Sequence, residues 1–361
     1  MAASLTVVVC SLNGASRIER PLNALDAQTI RSELQIIVVD DGSTDRTADI
    51  AEARGLTVIQ HQRNRGLSAA RNTGTRAADA PIVAFLDDDC EPAPNWAELI
   101  LGGYEDDVTG VGGPVIPITG TGFMARYVER NNRHEPLELE LTASQALPYR
   151  LFLYLRRQWS TPADKARRDV YCFTGGNMSF RREALLAVDG FDERFRFGSE
   201  EEDLTRRLRR IHHDRMVFVP QAWISHRFEP TVRNVLRRNI AYGKGNALQY
   251  RKWPGVRPTI FPGPLLILCM LIAAVWLWPM AAAAAALPLL LYPRGVKNLV
   301  SNATIEALVD PYFQLLQEAG ENIGFLHGAW AYRKLVPEPE DTAAAPTDSA
   351  DEAGGKLGLP A

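Results

Sequence analysis

An α/β fold is predicted for this chain of 361 residues: a mixed, mainly parallel sheet flanked by helices, followed by a C-terminal hydrophobic helical hairpin. Three observations predict it. Apolar, β-branched runs alternate with helix-forming stretches over the first hundred residues, the repetition that feeds a parallel sheet. Most of these runs end in a polar cluster, the place where open α/β sheets bind ligands. Between Arg257 and Arg294 no side chain carries a charge, a stretch longer than a buried helix needs.

The elements follow in order. Leu5 to Cys10 is an apolar run suited to a strand covered on both faces, and Ser11 to Asn13 follow it. Ser16 and Glu19 have capping-box spacing, which predicts a helix start. Leu34 to Val39 reads as a second buried strand and ends in Asp40-Asp41-Gly42-Ser43. A helix through Arg54 and a strand at Leu56 to Gln60 come next. A loop at Asn64 to Gly66 then leads to a helix capped by Ser68. Pro81 to Leu86 is a further strand and stops at Asp87-Asp88-Asp89. From Thr119 to Asp169 the pattern loosens, with a basic, apolar helical piece at Tyr149 to Arg157. Order returns at Tyr171 to Phe180, a helix starts at Arg182, and Glu200 to Asp203 open a basic helix. A last strand near Met216 to Val219 leads to His226.

Composition narrows the class. The chain is 46% hydrophobic and 23% charged with a net charge of -3, which gives no overall pull toward nucleic acid. From Thr231 to Arg257 there are seven Lys or Arg residues and no Asp or Glu, a basic helix suited to anionic headgroups or to solvent. The tail after Val336 is acidic and rich in Pro, Ala and Thr, the composition of a disordered segment. Four scattered cysteines without framework spacing fit reduced thiols. Met1 to Cys10 lacks the features of a signal peptide, so the catalytic part is expected on the cytoplasmic face of a membrane. Basic residues flank the uncharged stretch on both sides, and Pro279 falls near its middle. Those features predict a short hairpin or re-entrant pair broken at Pro279, with a single tilted span as the second reading.

Three adjacent carboxylates at a strand end repel one another unless a cation or hydrogen-bond donors sit nearby. Oxygen ligands of this kind suit Mg2+ or Mn2+; a solvated acidic loop is the other reading. Arg71 and Asn72 lie on the helix after Gly66, where a planar guanidinium can meet a diphosphate or form a surface ion pair. Glu200 to Asp203 at a helix start complement the helix dipole, and a carboxylate there over a cleft also suits a general base. His226 reads as a ligand or as an ordinary core histidine.

Taken in order, the segments VVVCSLN, VVDDGSTD, NRGLSAARNTG, FLDDDC, FTGGNMSFRREALLAVDGFDERF and SEEEDLTRRL resemble the family 2 glycosyltransferases of the inverting GT-A fold, in their membrane-associated bacterial form. The resemblance covers about Leu5 to His226. It implies that Cys10, Leu12, Asn13 and Asp41 line the nucleobase pocket and that Arg71 lies near the nucleotide. It places Asp87 toward the ribose, with Asp88 beside it on the donor side, and Asp89 and His226 at the metal. Gly175, Gly176 and Asn177 would shape the acceptor side. Glu201 would be the general base, with Glu200 next to it. The chain departs from the family pattern in three places. Leu12 stands where Tyr is frequent, the base position holds Glu rather than Asp, and Arg238-Asn-Ile-Ala-Tyr242-Gly-Lys-Gly245 and Gln249-Tyr-Arg-Lys-Trp253 only partly match the QxxRW of processive members.

The expected organisation is a nucleotide-sugar-binding half at 1–115 and an acceptor-binding half of the same domain at 116–230. A basic interfacial helix at 231–257, the membrane hairpin or span at 258–293, a helical segment at 294–336 and a disordered tail at 337–361 would follow. The expected activity is transfer of a single sugar, with inversion, from a nucleoside-diphosphate sugar to a lipid-linked or glycan acceptor of the cell envelope. Catalytically inactive nucleotide-sugar binding and nucleotidyl transfer are the alternatives. The expected partners are the donor, the acceptor and the membrane, without nucleic acid.

Overall fold

The computed structural model describes residues 3–118, 120–131, 136–142, 144–159, 167–196, 198–211, 215–227, 231–293, 297–299 and 304–339. The expected tail therefore lies outside the described residues from 340 onward.

Its central sheet is built by strands whose side chains are apolar on both faces. β1 (Leu5–Ser11), β2 (Leu34–Asp40), β3 (Thr57–Gln60) and β4 (Ile82–Asp87) run parallel in the order β3-β2-β1-β4. Among the described residues the sheet continues through β9 (Met178–Arg181), β6 (Val108–Gly112), β10 (Arg215–Phe218) and β8 (Arg168–Asp169). The antiparallel β9 joins the parallel pair β6 and β10 to the first four strands. Helices α1 (Glu19–Asp26) and α4 (Trp96–Leu101) cover one face with Leu22, Leu25, Trp96 and Ile100. The other face carries α3 (Leu67–Ala77), α7 (Arg182–Ala187) and α8 (Glu200–Ile211), which contribute Ala70, Leu185, Leu204 and Leu208. Burying each large aliphatic side chain contributes roughly 1.5–3 kcal/mol, so two covered faces hold the sheet rigid beneath its polar strand ends.

Register does the functional placing. Ser11 pairs with Asp40 and Cys10 pairs with Asp87, so the polar ends of three neighbouring strands fall side by side. Phe85 pairs with Met178, which sets the Gly175–Asn177 turn beside Asp87. A second, three-stranded sheet joins β5 (Cys90–Pro92), β11 (Ile224–Arg227) and β7 (Val115–Ile118). In it His226 pairs with Cys90, one residue beyond the aspartates.

Two expected caps are replaced. No Ser16 bond closes the start of α1, where Ile18 holds the cap position in a helical conformation. Gly66 rather than Ser68 precedes α3, because Ser68 Oγ is drawn 2.6 Å to the Phe195 carbonyl.

The uncharged stretch is corrected. It forms α10 (Pro262–Ala273) and α11 (Pro279–Leu291), with the break at Pro279 where the sequence placed it. At about 1.5 Å per residue these helices fall well short of a hydrocarbon core of about 30 Å. Among the described residues no helix is long and apolar enough to cross a membrane. The reason lies in the anchors at both ends. Asn322 on α12 (Asp310–Ala331) makes two bonds to the Phe261 backbone, at 2.8 and 3.0 Å, and the Tyr292 hydroxyl donates to Glu318 at 2.7 Å.

The basic helix α9 (Val232–Lys252) packs along α12 backbone to backbone. A Cβ at Gly324 would lie 2.1 Å from the Ile240 carbonyl oxygen, and one at Gly243 would lie 2.0 Å from that of Glu321. Gly324→Ala is therefore expected to cost about 1–3 kcal/mol through forced separation of the helices. Urea denaturation reads it, and an unchanged midpoint would mean that the two helices do not pack this closely.

Candidate active site

The first polar cluster is a cradle of backbone and side-chain bonds. The Asp40 carboxylate accepts from the Ser43 amide at 2.9 Å, closing the turn that leaves β2. Asn13 donates its amide to Ser43 Oγ at 2.8 Å, and its side-chain oxygen accepts from the Thr44 amide at 2.9 Å. Leu12 stands exposed at the rim, while the Cys10 thiol is buried and pushed up to about 12, so it stays protonated. Asp41 is turned toward the 63–66 loop. It accepts from the Arg65 and Gly66 amides, each at 2.8 Å, and meets His61 Nδ1 at 2.7 Å. His61 in turn meets Thr73 Oγ1 at 2.9 Å.

The second cluster divides at the end of β4, where Asp87 is the last strand residue and Asp88 and Asp89 form the turn that follows. Asp88 faces the first loop, where Ser11 Oγ donates to it at 2.5 Å and Arg17 donates at 2.9 and 3.1 Å. Asp87 and Asp89 face the cleft. Burial pushes Asp87 up to about 6, Arg71 pulls against this and Asp89 adds to it. Burial also works to raise Asp89, but the hydrogen bond and charge of His226 together hold it below its usual value. His226 Nε2 lies 3.2 Å from Asp89 Oδ2.

Ligand atoms of Asp89, Cys90 and His226 all lie within 4.8 Å of one another. Burial drives the Cys90 thiol well above its ordinary range, leaving a carboxylate and an imidazole as the available donors. An oxygen and a nitrogen donor fit a divalent cation that completes its shell with phosphate oxygens. The residues therefore fit a metal, with Asp89 and His226 holding it.

Arg71 joins this side of the cleft to the far one. Only 1% exposed, it donates from Nη1 to Glu200 Oε1 at 2.9 Å and from Nη2 to the Gly175 carbonyl at 2.9 Å. Its Nη2 also lies 3.5 Å from Asp87 Oδ1. Asp87 from the first acidic cluster and Glu200 from the second thus converge on one guanidinium. Gly175 and Gly176 floor the gap: a Cβ on the first would lie 3.5 Å from Glu201 Oε1, and one on the second 3.7 Å from Asp87 Oδ2. Asn177 is fully buried and turned away. Its side chain accepts from Trp96 at 2.9 Å and donates to the Ala222 and Pro114 carbonyls at 2.8 and 3.0 Å.

Glu201 Oε2 and Glu200 Oε2 are buried without a hydrogen-bond partner among the described residues. Such atoms are costly, and they mark a carboxylate arranged for something other than stability. Burial first, and the charge of Glu200 second, push Glu201 up to about 8. A carboxylate poised there takes a proton readily near neutral pH.

Several residues escaped the sequence reading. His61 reaches Asp41 only through the β2–β3 register, in which Asp40 pairs with Gln60. Lys252 and Trp253 belong to the partial QxxRW match, yet both are buried. Lys252 Nζ lies 2.6 Å from Asp203 and 2.8 Å from Asp192, and Trp253 Nε1 donates to Asp203 at 2.9 Å. They lock α9 onto α8 below the cleft. The only signal for them was the spacing of that partial match.

A sequence profile described as "Glycosyl transferase family 2" matches residues 6–188. A pre-mycofactocin glycosyltransferase of Mycobacterium tuberculosis is 30% identical over 275 residues, covering 74% of this chain and 52% of that protein. The chain thus spans about half the length of this relative. Among solved structures, a mannosyltransferase from Pyrobaculum calidifontis in complex with GDP-Man and Mn2+ superposes with a TM-score of 0.54 at 20% identity. That match covers 92% of this chain and 88% of the other. GalNAc-T7 with UDP, GalNAc and Mn2+ superposes with a TM-score of 0.51 at 17% identity, covering 71% and 49%. These two likenesses show a shared fold.

Proposed function

The chain belongs to glycosyl transferase family 2, and on that premise we propose that it transfers a single sugar from a nucleoside-diphosphate sugar to a lipid-linked or glycan acceptor, with inversion at the anomeric carbon. One observation carries this reading: Arg71 bonds Glu200 and lies beside Asp87, so the strand-end carboxylates and Glu201 share one cleft.

The chemistry follows from where charge develops. Breaking the bond from the anomeric carbon to the diphosphate leaves negative charge on the phosphate oxygens. A divalent ion held by Asp89 and His226 would stabilise that charge; fold relatives with Mn2+ in their sites, and an imidazole among the donors, favour Mn2+ over Mg2+. Glu201 takes the proton of the acceptor hydroxyl through its unpartnered Oε2, across the cleft from Asp87 and Asp89. Attack from that side, opposite the leaving diphosphate, is a single in-line displacement, which inverts the centre. Burial of Gln249, Lys252 and Trp253 against α8 favours one transfer rather than polymer synthesis, because these side chains offer a growing glycan no surface.

A thermal-shift screen tests the donor. UDP, GDP or dTDP with Mn2+ is expected to raise the melting temperature, since a ligand of the folded state alone stabilises it. No response to any of the three would sink the reading, and binding without turnover or slow donor hydrolysis would favour the inactive alternative. Nucleotidyl transfer is not favoured, because Cys10-Ser-Leu-Asn-Gly14 after β1 lacks the activating Lys or Arg that reaction needs there.

The reading extends to a membrane surface, on the cytoplasmic side. Trp276 and Trp278, each 78% exposed, cap the turn between α10 and α11, and Leu268, Ile272, Ile323 and Trp330 are exposed on α10 and α12. Tryptophans at an apolar edge favour the headgroup boundary, and helices too short to span can lie in it. A Trp276→Glu, Trp278→Glu double variant is expected to weaken binding to anionic phospholipid vesicles about tenfold or more. Sedimentation with vesicles measures it, and undiminished binding would exclude this turn as the anchor.

A further inference from the structure

The chain enters α8 through a turn that one of its residues adopts against its preference. Gly198 has φ +83° and Ser199 has φ +67°, both in the left-handed region. Glycine takes that conformation freely, whereas the Cβ of Ser199 crowds the backbone there. Such strain persists only where the surroundings over-determine it, and it gathers at functional sites. Here the surroundings belong to α9. Ser199 Oγ donates to Asn246 Oδ1 at 2.9 Å, and Gln249 Nε2 donates to the Ser199 carbonyl at 2.9 Å. Gly245 lets the two backbones meet, since a Cβ on it would lie 2.3 Å from the Gly198 carbonyl oxygen.

Gln249 sits there at a further cost. It is 2% exposed, and its Oε1 is buried without a hydrogen-bond partner among the described residues. An orphaned acceptor of this kind destabilises the fold. The bond from Nε2 does not rescue an otherwise lone group either. The Ser199 carbonyl already accepts from the Asp203 amide at 3.1 Å, as the opening bond of α8. A strained residue and an orphaned amide thus meet at one turn, and stability explains neither. The turn carries the two carboxylates of the cleft. Glu200 is held by Arg71 at 2.9 Å. Glu201 Oε2 has no partner among the described residues, so its place depends on the backbone that presents it, two residues beyond Ser199.

We propose that Gln249 is a positioning residue for the base, holding the strained Gly198–Ser199 turn so that it aims Glu201 at the acceptor hydroxyl. The proposal rests on the glycosyltransferase reading above. It gives α9 a part in the chemistry from outside the region matched by the family profile, residues 6–188.

The experiment uses the full chain with Mn2+ and the slow hydrolysis of UDP-glucose, GDP-mannose or dTDP-glucose. Water stands in for the acceptor: it bonds to the anomeric carbon, gives its proton to Glu201, and the nucleoside diphosphate leaves. Gln249→Met keeps the length of the side chain but cannot donate to Ser199. It is expected to lower kcat about tenfold while KM for the donor stays within about twofold. The melting temperature should hold or rise, because the Ser199 carbonyl keeps the Asp203 amide and the orphaned acceptor is gone. In a Glu201→Gln background the same substitution should cost nothing further, as expected of groups that act as a unit. An unchanged kcat, a lowered melting temperature, a variant that fails to fold, or losses that add to those of Glu201→Gln each overturn the proposal alone. If the unvaried protein hydrolyses none of the three donors, the glycosyltransferase reading gives way to the inactive alternative and takes this proposal with it.

Discussion

Asp89→Ala is expected to lower turnover by about a hundredfold or more and to abolish the thermal stabilisation that Mn2+ gives the unvaried protein. Both effects come from one carboxylate. Asp89 is the acidic member of the three ligand-bearing side chains that lie within 4.8 Å of each other, and it faces His226 at 3.2 Å. Without it the imidazole is left with a protonated thiol, a donor pair with no fixed charge to hold a hard cation. The neighbouring aspartate is the control. Asp88 is bound by Ser11 and Arg17 on the other side of the strand end, so Asp88→Asn should reduce stability while the response to Mn2+ persists. Melting curves with and without MnCl2, alongside turnover, separate the two variants. If Asp89→Ala still gained stability from Mn2+, the ion would have to bind elsewhere.

That division between adjacent aspartates was not drawn from the sequence, which set Asp88 beside Asp87 on the donor side, because it depends on the turn after β4 and on Ser11 and Arg17 from another segment. The strand ends were legible: Val38-Val39-Asp40 and Phe85-Leu86-Asp87 each show where an apolar run meets its polar stop, and the strands end there. What lay hidden depends on contacts between distant segments. Lys252 reads as one more charge on a basic helix. Only the fold reveals that it is 2% exposed and clamped between Asp192 and Asp203. The uncharged stretch reads as a membrane span because no local feature announces Asn322 and Glu318, which hold its two halves at the Phe261 and Tyr292 ends. Hydrophobicity marks the stretch as apolar and does not set the length of its helices, and most of the large side chains of α10 stay exposed although its ends are tied down. Asn177 shows the opposite failure. Its place in a familiar motif suggested the acceptor side, whereas its three bonds tie the second sheet to α4.

Glu201→Gln is expected to lower turnover by about a hundredfold or more and, at the same time, to make the protein more stable at alkaline pH. The first effect removes the group that takes the acceptor proton. The second follows from the same burial. Burial pushes Glu201 up to about 8 in the fold from its ordinary value of 4.5, so between those limits the native state holds a proton that the unfolded chain has released. Native protein binding the extra proton means that unfolding free energy falls as pH rises through this window, at up to about 1.4 kcal/mol per pH unit for one group. The loss is complete above pH 8 and absent below the unfolded value. Gln cannot ionise, so the variant escapes the loss: its melting temperature should match that of the unvaried protein near pH 4.5 and exceed it by several degrees at pH 8. The pH profile of kcat/KM for the unvaried protein should rise across the same range, because only the deprotonated carboxylate acts as base. A variant with near-normal turnover would remove Glu201 from the chemistry. A melting-temperature difference that did not grow with pH would remove the buried charge as its cause. Both results together would leave Glu200, whose Oε2 is also buried without a partner, as the carboxylate to test next in the role of base.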